Sequence, residues 1–401
     1  MTKPLLLKNL RLMGAAKTDV LIEDGRIARI ASEVTPSGDV TVEDCGGALA
    51  LPGLIDAHAH LDKTLWGMPW HPHQQGKSLQ QMIDTERHLR HELDMDAERQ
   101  SSRQVALALS KGTTAIRSHV DIDTDHGLSL FEGVAATRAR YAEVMQIEIV
   151  AFPQSGMMIR PGTVELMDQA LRDGAEIVGG LDPCGIDRDP KGQLDAVFGL
   201  AEKHGKQIDI HLHEPGEMGA FSLEMILDRT EALAMQGKVT VSHAFCLGMN
   251  DQARVAGLLD RIAALDVSLA TTAPASRPVP SVAACRERGI AICAGNDGIR
   301  DTWTPYGNAC MLERAMLVGL RNNFRADVEV AWALDTCTTD GARVMGLAGY
   351  GLTEGSRADL VLVDVEAVSE AITLRPPRRL VISGGQIVAR DGVTEAAWQT
   401  A

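Results

Sequence analysis

The sequence predicts an α/β protein: a (β/α)8 barrel, or TIM barrel, with a small β-sandwich domain formed by the N- and C-terminal segments. Three observations predict this fold class. Helix-like runs alternate with strand-like runs through the middle of the chain, the strand-like runs are almost continuously apolar, and hairpin-like segments lie at both ends.

Five segments share one pattern, in which a helix-like run ends at a glycine and a strand-like run follows. Glycine adopts the left-handed conformation that ends a helix at little cost, so each segment is interpreted as a helix–strand unit. These segments are residues 105–119, 170–182, 201–213, 231–243 and 284–297.

Three further strands bring the number to eight. Residues 146–152 (QIEIVAF) and 266–272 (DVSLATT) have strand-like sequences, and the first strand of the series ends at His58. Eight strands that alternate with helices favour a barrel of parallel strands buried on both faces. The main alternative is a doubly wound sheet, which usually carries a glycine-rich phosphate loop after its first strand, and this sequence has none there.

The two ends of the chain differ from its middle. Residues 4–32 contain short strand signals around an Asp-Gly turn at 24–25, and residues 357–365 and 378–392 have the same character. We therefore expect the ends to meet in one domain. The predicted domains are a small β-domain, 1–53 together with 351–401, and a catalytic barrel, 54–350.

Composition and charge narrow the choice of partners. The chain has 39 basic and 54 acidic residues, a net charge of −15, and only 3% aromatic residues. This balance argues against a nucleic-acid partner and against an anionic membrane surface. We expect a small-molecule substrate that is neutral or cationic, and a homo-oligomer.

The cysteines indicate a reducing compartment. Seven cysteines are scattered along the chain without a C-x-x-C pair, which is typical of reduced thiols in a cytoplasmic protein. No convincing secretory signal or membrane-spanning run is present in the sequence. We therefore predict a cytoplasmic location.

Polar residues collect at the predicted strand ends. In a (β/α)8 barrel the carboxyl ends of the strands form the active site, so these residues should face one pocket. They are His58, His60, His119, Asp121, Gln154, Asp182, His211, His213, Glu214, His243 and Asp297.

The pair His58 and His60 is the strongest chemical signal among them. Side chains alternate along a strand, so the two imidazoles share a face and can chelate one metal ion. His211 and Asp297 could complete the ligand set. Imidazole nitrogens with one carboxylate and no thiolate suit Zn²⁺ or Fe²⁺.

Plainer interpretations stay open for several residues. His119 can be a satisfied polar residue or a partner of a ligand, and His213 can point away from the pocket because it alternates with His211. His71 and His73 lie in a proline-interrupted loop, which favours a lid or surface position. Trp303 can serve packing as well as substrate contact.

At this point the chain resembles the amidohydrolase superfamily, since PGLIDAHAH matches its first-strand H-x-H motif. Within that superfamily it resembles the cytosine deaminase branch, and it is also similar to the N-isopropylammelide isopropylaminohydrolases. The stretches that carry these resemblances are VAFPQSG (150–156), VGGLDP (178–183), HLHE (211–214), SHAFC (242–246) and NDGIRDTWTPYGN (296–308).

The resemblance implies a metal site and a set of roles. One divalent ion, Zn²⁺ or Fe²⁺, would bind to His58, His60, His211 and Asp297. Glu214 would be the proton shuttle, and His243, with Asp297, would orient the attacking water and stabilise charge. The resemblance further implies substrate contacts at Gln154, which would hold a ring carbonyl and amide edge, and at Trp303, which would line the pocket.

Two differences from relatives in this superfamily refine the prediction. The end of the fourth strand, GGLDPCG, lacks the lysine of dinuclear members, so we expect one metal ion. Cytosine deaminases of this branch follow the ligand aspartate with a second aspartate, whereas here Gly298 follows Asp297. We expect this glycine to remove a carboxylate and leave room, which favours another amino-pyrimidine or an N-substituted triazine.

The sequence therefore predicts a metal-dependent aminohydrolase. It would hydrolyse an exocyclic C–N bond of an amino-substituted nitrogen heterocycle, such as cytosine, isocytosine or an (alkyl)aminotriazine, and release ammonia or an amine. The alternatives are a ring-opening hydrolase of cyclic amides and, after it, a non-catalytic metal-binding protein. The sequence assigns no role to His119, Asp182 or His213.

Overall fold

The chain begins with short strands. The computed structural model describes residues 3–73 and 78–400. The first strands are β1 (Leu5–Leu12), β2 (Thr18–Glu23), β3 (Arg26–Ala31), β4 (Thr41–Asp44) and β5 (Leu49–Pro52). The Asp-Gly turn is present as predicted: Asp24 and Gly25 have φ values of 47° and 75°, and they join β2 to β3 as an antiparallel hairpin.

The next eight strands form one parallel sheet in sequence order, as predicted. Every residue of the first two is buried, as expected for strands covered on both faces. The strands are β6 (Leu54–Ala59), β7 (Thr113–Asp121), β8 (Gln146–Phe152), β9 (Ile177–Leu181), β10 (Gln207–His211), β11 (Val239–Ser242), β12 (Ser268–Thr271) and β13 (Ile292–Ala294).

The barrel closes where the chain segment after β13 meets β6. Ala59 and Asp297 form a parallel bridge, and the backbone N–H of Asp297 donates to the His58 carbonyl at 2.8 Å. Gly295 allows this approach, because a Cβ there would lie 2.4 Å from the backbone oxygen of His58. The (β/α)8 barrel predicted from the sequence is therefore confirmed.

Helices alternate with the barrel strands, and one extra helix, α1, precedes α2 between β6 and β7. The glycines predicted to end helices all have positive φ: Gly112, Gly174, Gly205, Gly237 and Gly289. The helices up to β13 are α1 (Leu79–Glu92), α2 (Ala97–Ser110), α3 (Ser129–Arg140), α4 (Thr163–Arg172), α5 (Pro190–His204), α6 (Gly216–Ala232), α7 (Gln252–Ala264) and α8 (Val282–Glu287). A short 3₁₀ turn, Phe245–Gly248, precedes α7.

The C-terminal part returns to the N-terminal strands. After α9 (Met311–Arg321), α10 (Asp327–Asp335) and α11 (Thr339–Val344), the elements are β14 (Leu360–Val363), α12 (Val368–Leu374), β15 (Leu380–Ser383), β16 (Gln386–Arg390), β17 (Val393–Thr394) and a 3₁₀ turn (Ala396–Trp398). Strand β5 pairs with both β1 and β14, so the two ends share a nine-stranded sheet. This sheet has its own hydrophobic cluster, which makes a separate β-rich domain beside the barrel. Among the described residues, none of the helices is long and apolar enough to cross a membrane.

Candidate active site

Five buried histidine rings meet at the carboxyl end of the barrel. We call them the histidine cluster. The ring centroid of His58 lies 4.3–5.7 Å from those of the other four. His58 lies one residue before the end of β6 with its side chain buried, and the buried His60 follows directly after the strand. The cluster consists of His58, His60, His119, His211 and His243.

Asp297 lies beside this cluster. Its Oδ1 is 3.3 Å from Nε2 of His60 and 3.8 Å from Nε2 of His58. Asp297 and His243 have φ values of 64° and 67°, a left-handed conformation that is unfavourable for residues with a side chain. Such strain often persists at functional sites, where the surrounding structure enforces it.

Hydrogen bonds fix the orientation of the two β6 imidazoles. Nδ1 of His60 donates to the backbone carbonyl of His119 at 3.1 Å. Nδ1 of His58 is 2.9 Å from the Ser242 hydroxyl, which itself donates to Asp209 at 2.7 Å, so His58 must be the donor in its pair. In its neutral form each ring therefore carries its lone pair on Nε2, the atom that faces Asp297.

Several ring nitrogens of the cluster are buried without a partner. Within residues 3–73 and 78–400, Nε2 of His58 and both nitrogens of His119, His211 and His243 make no hydrogen bond. Burial lowers the pKa of His58 to about 3 and the pKa values of the other three well below their ordinary value. Neutral imidazoles with free lone pairs, next to a carboxylate, fit a divalent metal ion.

Three overlapping groups of potential ligand atoms share His58, and within each group the atoms lie within 4.8 Å of one another. One group adds His60 and Asp297, and another adds His211 and His243. The four predicted ligands are thus divided between two groups that share His58, and His243 belongs to the same group as His211. The third group adds His119 and Asp209.

Asp209 is a poor candidate ligand because its oxygens have other partners. Ser242 donates to Oδ1 at 2.7 Å, and Arg117 donates to Oδ2 at 3.2 Å. His119 contributes its backbone carbonyl to His60, which agrees with its interpretation as a partner of a ligand. The assignment of His58, His60, His211 and Asp297 as the ligand set stays a prediction.

Asp182, at the end of β9, organises the segment after β10. Its carboxylate accepts from the backbone N–H of His213 at 2.6 Å and pairs with Nδ1 of His213 at 2.8 Å. The His213 ring lies 4.3 Å from that of His243. The interpretation that His213 points away is therefore wrong, because β10 ends at His211 and the strand alternation does not continue.

Glu214 is buried, and its hydrogen bonds are made with the loop after β9 and with helix α6. Its Oε1 accepts from the backbone N–H groups of Cys184 at 2.8 Å and Gly185 at 2.7 Å, and Oε2 accepts from the Ser222 hydroxyl. Burial raises the pKa of Glu214, and these donors oppose that rise. The shuttle role of Glu214 stays a prediction.

The predicted substrate contacts lie in a second polar group, which we call the Glu86 cluster. Nε2 of Gln154 donates to Glu86 at 2.7 Å, and Nε1 of Trp303 donates to the same carboxylate oxygen. Lys63 donates to Oε1 of Gln154. The cluster consists of Lys63, Glu86, Arg90, Gln154 and Trp303.

Sequence reasoning missed Glu86 and Arg90. Both residues lie on α1 (Leu79–Glu92), where no functional residue was predicted from the sequence. The spacing of Glu86 and Arg90, four residues apart, is an ordinary signal of a solvated helix face. Only their burial distinguishes them, and burial is not visible in the sequence.

The expectation of extra room at Gly298 is wrong. A Cβ at this position would lie 1.8 Å from Oδ2 of Asp301. Oδ1 of the Asp301 carboxylate accepts from the backbone N–H groups of Trp303 at 2.8 Å and Thr304 at 2.9 Å, which holds it there. Asp301 thus fills the space that the glycine leaves.

The remaining predictions concern Trp303 and the His71–His73 loop. Trp303 packs against a small apolar cluster that contains Ile83 and Phe152, so it serves packing as well as the polar contact to Glu86. A ring nitrogen of His73 donates to the backbone carbonyl of Asp301. His73 therefore touches the loop that carries Trp303.

Comparison with known proteins gives this arrangement a family. The sequence profile of the amidohydrolase family matches residues 41–389. The chain belongs to the amidohydrolase family. The proteins that its motifs resemble are also among its relatives, and three of them are described next.

The first relative is N-isopropylammelide isopropylaminohydrolase from Burkholderia multivorans. Its crystal structure is 49% identical with a TM-score of 0.95, and the match covers 98% of this chain and 100% of that chain. N-isopropylammelide isopropyl amidohydrolase from Pseudomonas sp. (strain ADP) is 28% identical, over 94% of this chain and 95% of its own. A structure of 5-methylcytosine deaminase from Klebsiella pneumoniae, liganded with 5-fluorocytosine, is 26% identical with a TM-score of 0.84, covering 96% and 97% of the two chains.

These matches confirm the predicted family, its deaminase branch and the barrel fold. The chain is therefore a hydrolase of carbon–nitrogen bonds. The histidine cluster with Asp297 gives this amidohydrolase a group of side chains suited to a metal ion.

Proposed function

We propose that this amidohydrolase cleaves the exocyclic C–N bond of an amino- or alkylamino-substituted nitrogen heterocycle and releases ammonia or an amine. One observation carries the proposal: neutral, unpartnered imidazoles and a carboxylate share the barrel mouth with Gln154 and Trp303. The named activities of relatives that match nearly the whole chain support it.

His58, His60, His211 and Asp297 would hold one divalent ion, Zn²⁺ or Fe²⁺. When bound, such an ion acidifies water and polarises the ring carbon that is attacked. Burial keeps the imidazoles of His58 and His211 neutral, and Asp297 would add a carboxylate, a combination that suits a divalent ion.

The other residues would stabilise charge, transfer a proton and orient the ring. His243 would face the attacked carbon and stabilise the charge that develops there. Glu214 would take a proton from the attacking water and return it to the leaving nitrogen as the C–N bond breaks. A buried carboxyl with a raised pKa is suited to this exchange near neutral pH. Gln154 and Trp303 would orient the ring.

An amine-release assay tests the proposal. The metal-loaded protein is incubated with cytosine, isocytosine, creatinine, guanine-like purines, pterins, and amino- and alkylamino-triazines, and ammonia and alkylamine are quantified. We expect turnover of at least one compound and its loss after chelation. Ring-opened product without amine would identify a cyclic-amide hydrolase instead, and silence with bound metal would contradict the aminohydrolase.

A further inference from the structure

Helix α1 is an addition to the barrel pattern, and its buried face is unusual. Its buried side chains are Ile83, Glu86 and Arg90, which recur at the spacing of one helix face. A charged residue is seldom fully buried unless it is paired. The buried carboxylate and guanidinium of this helix therefore indicate a role beyond packing.

Arg90 connects this helix to the chain segment that follows strand β6. Its guanidinium is 3.2 Å from Oδ2 of Asp62, two residues after His60, and it also donates to Oε1 of Glu86. Arg90 thus leaves Oε2 of Glu86 for other donors. The helix delivers one carboxylate oxygen to the barrel mouth.

That oxygen accepts from both predicted substrate contacts, Gln154 and Trp303. The amide of Gln154 is held from its other side by Lys63, which donates to Oε1. A flipped amide would place its NH₂ against the ammonium and its oxygen against the carboxylate. Glu86 and Lys63 therefore fix the amide in one orientation, although an isolated glutamine could adopt either.

A fixed amide presents a defined pattern to a ligand. Gln154 has two N–H donors and two acceptor lone pairs, of which Glu86 takes one donor and Lys63 one lone pair. Nζ of Lys63 lies 3.6 Å from Oε2 of Glu86, so these two groups occupy the edge of the amide where its oxygen and an N–H adjoin. The remaining N–H and lone pair point outwards from opposite ends of the amide.

We propose that Glu86 is a positioning residue for substrate binding: it holds the Gln154 amide and the Trp303 indole in one orientation at the barrel mouth. The inference rests on the proposed function for its substrate class. Burial alone would raise the pKa of Glu86, but the charges of Lys63 and Arg90 lower it to about 2. The carboxylate thus stays ionised, and the amide keeps its orientation, across the working pH range.

The test compares Glu86→Gln with Glu92→Gln. Glu92 ends the same helix, with its side chain 57% exposed and paired only to His88 among the described side chains. In Glu86→Gln the KM for the preferred heterocycle should rise about 10–100-fold, as for loss of a hydrogen bond to a charged group, with kcat little changed. Metal content should match the wild type, and Glu92→Gln should behave as the wild type.

A second readout does not need turnover. The emission of Trp303, taken as the difference from Trp303→Phe, should shift in Glu86→Gln because its indole N–H loses the carboxylate. Glu86→Asp keeps the charge, so its KM should lie between those of the wild type and Glu86→Gln. It also replaces Glu86→Gln if that variant does not fold.

The outcomes separate the two proposals. An unchanged KM and an unchanged Trp303 emission in Glu86→Gln would overturn the role of Glu86. A parallel loss of kcat and bound metal would overturn it too, since Glu86 would then only support the fold. If the wild type releases no amine from any heterocycle, the proposed function fails, and the Trp303 comparison still tests the contact.

Discussion

Two buried polar groups share the mouth of this barrel, and they differ in how their polar atoms are satisfied. In the histidine cluster, nitrogens of His58, His211 and His243 lack partners within the described residues. In the Glu86 cluster, the carboxylate of Glu86 meets donors from its neighbours. Buried polar atoms are rarely left unpaired, so the first cluster is built for something the chain does not supply. The second is complete by itself and shapes the pocket.

Removing a histidine of the histidine cluster should have the largest effect on metal binding and activity. His211→Ala deletes an imidazole whose two nitrogens have no partner in residues 3–73 and 78–400, so it should abolish metal retention and amine release together. Metal per chain by mass spectrometry, with the amine assay, checks this. His88→Ala, a change at a 73% exposed side chain, serves as control. If His211→Ala keeps full activity and its metal, the histidine cluster does not serve metal binding, and the proposed difference between the two clusters is wrong.

Glu214→Gln should have the next largest effect. It keeps the shape and most contacts with the Cys184 and Gly185 amides but removes the proton carrier. We expect kcat to fall about 10²–10⁴-fold with unchanged metal content. Glu217→Gln, at an exposed position on α6, is the matched control. Near-normal kcat in Glu214→Gln would assign the proton transfer to another residue.

Ser242→Ala tests whether the hydrogen bond between Ser242 and Nδ1 of His58 contributes to metal affinity. The change removes the acceptor for Nδ1 of His58 and frees the ring to rotate. Loss of such an orienting partner typically costs about 10–100-fold in metal affinity. Competition with a chelating indicator measures this affinity. An unchanged value would mean that packing alone orients His58.

Asp121→Asn concerns an acid between the two clusters, whose Oδ1 accepts from the backbone of Gln154 at 3.2 Å. Burial raises the pKa of Asp121 from 3.8 to about 8, against the opposing charge of Arg90. Between these values the unfolded chain has lost a proton that the folded protein keeps, so stability falls as the pH rises.

Asparagine does not titrate, so Asp121→Asn should melt above the wild type near pH 8, with a gap that narrows as the pH falls. We expect a shift of about 1 °C for each kcal/mol, given the unfolding entropy of a chain of 401 residues. Thermal unfolding of both metal-free proteins from about pH 8 to about pH 5 measures the gap. A constant or widening gap would show that Asp121 is ionised throughout.

The sequence predicted those parts of the molecule that depend on local pattern. The strand at 146–152 lies where it was predicted, and Gly205 ends its helix with a φ of 64°. His58 and His60 could be placed because strand alternation and the barrel rule fix their position. These signals need no knowledge of distant residues.

The missed features depend on distant contacts. Glu86 matters because α1 folds over the barrel mouth, and a solvated helix face would have the same sequence. Gly298 suggested room, yet the residue that fills it lies three positions later. Glu214 was assigned its role by resemblance, whereas its hydrogen-bond partners lie in the loop after β9 and, as Ser222, on α6.

The seam between the first and last barrel strands has a consequence for how the protein is made. Asn296 donates to Asp56, 240 residues away in the chain, and the next residue, Asp297, binds the backbone of His58. A chain still emerging from the ribosome has its first two histidines long before it has its carboxylate. The proposed ion site is thus assembled only when synthesis has passed the last strand, so ion capture would report that the barrel has closed.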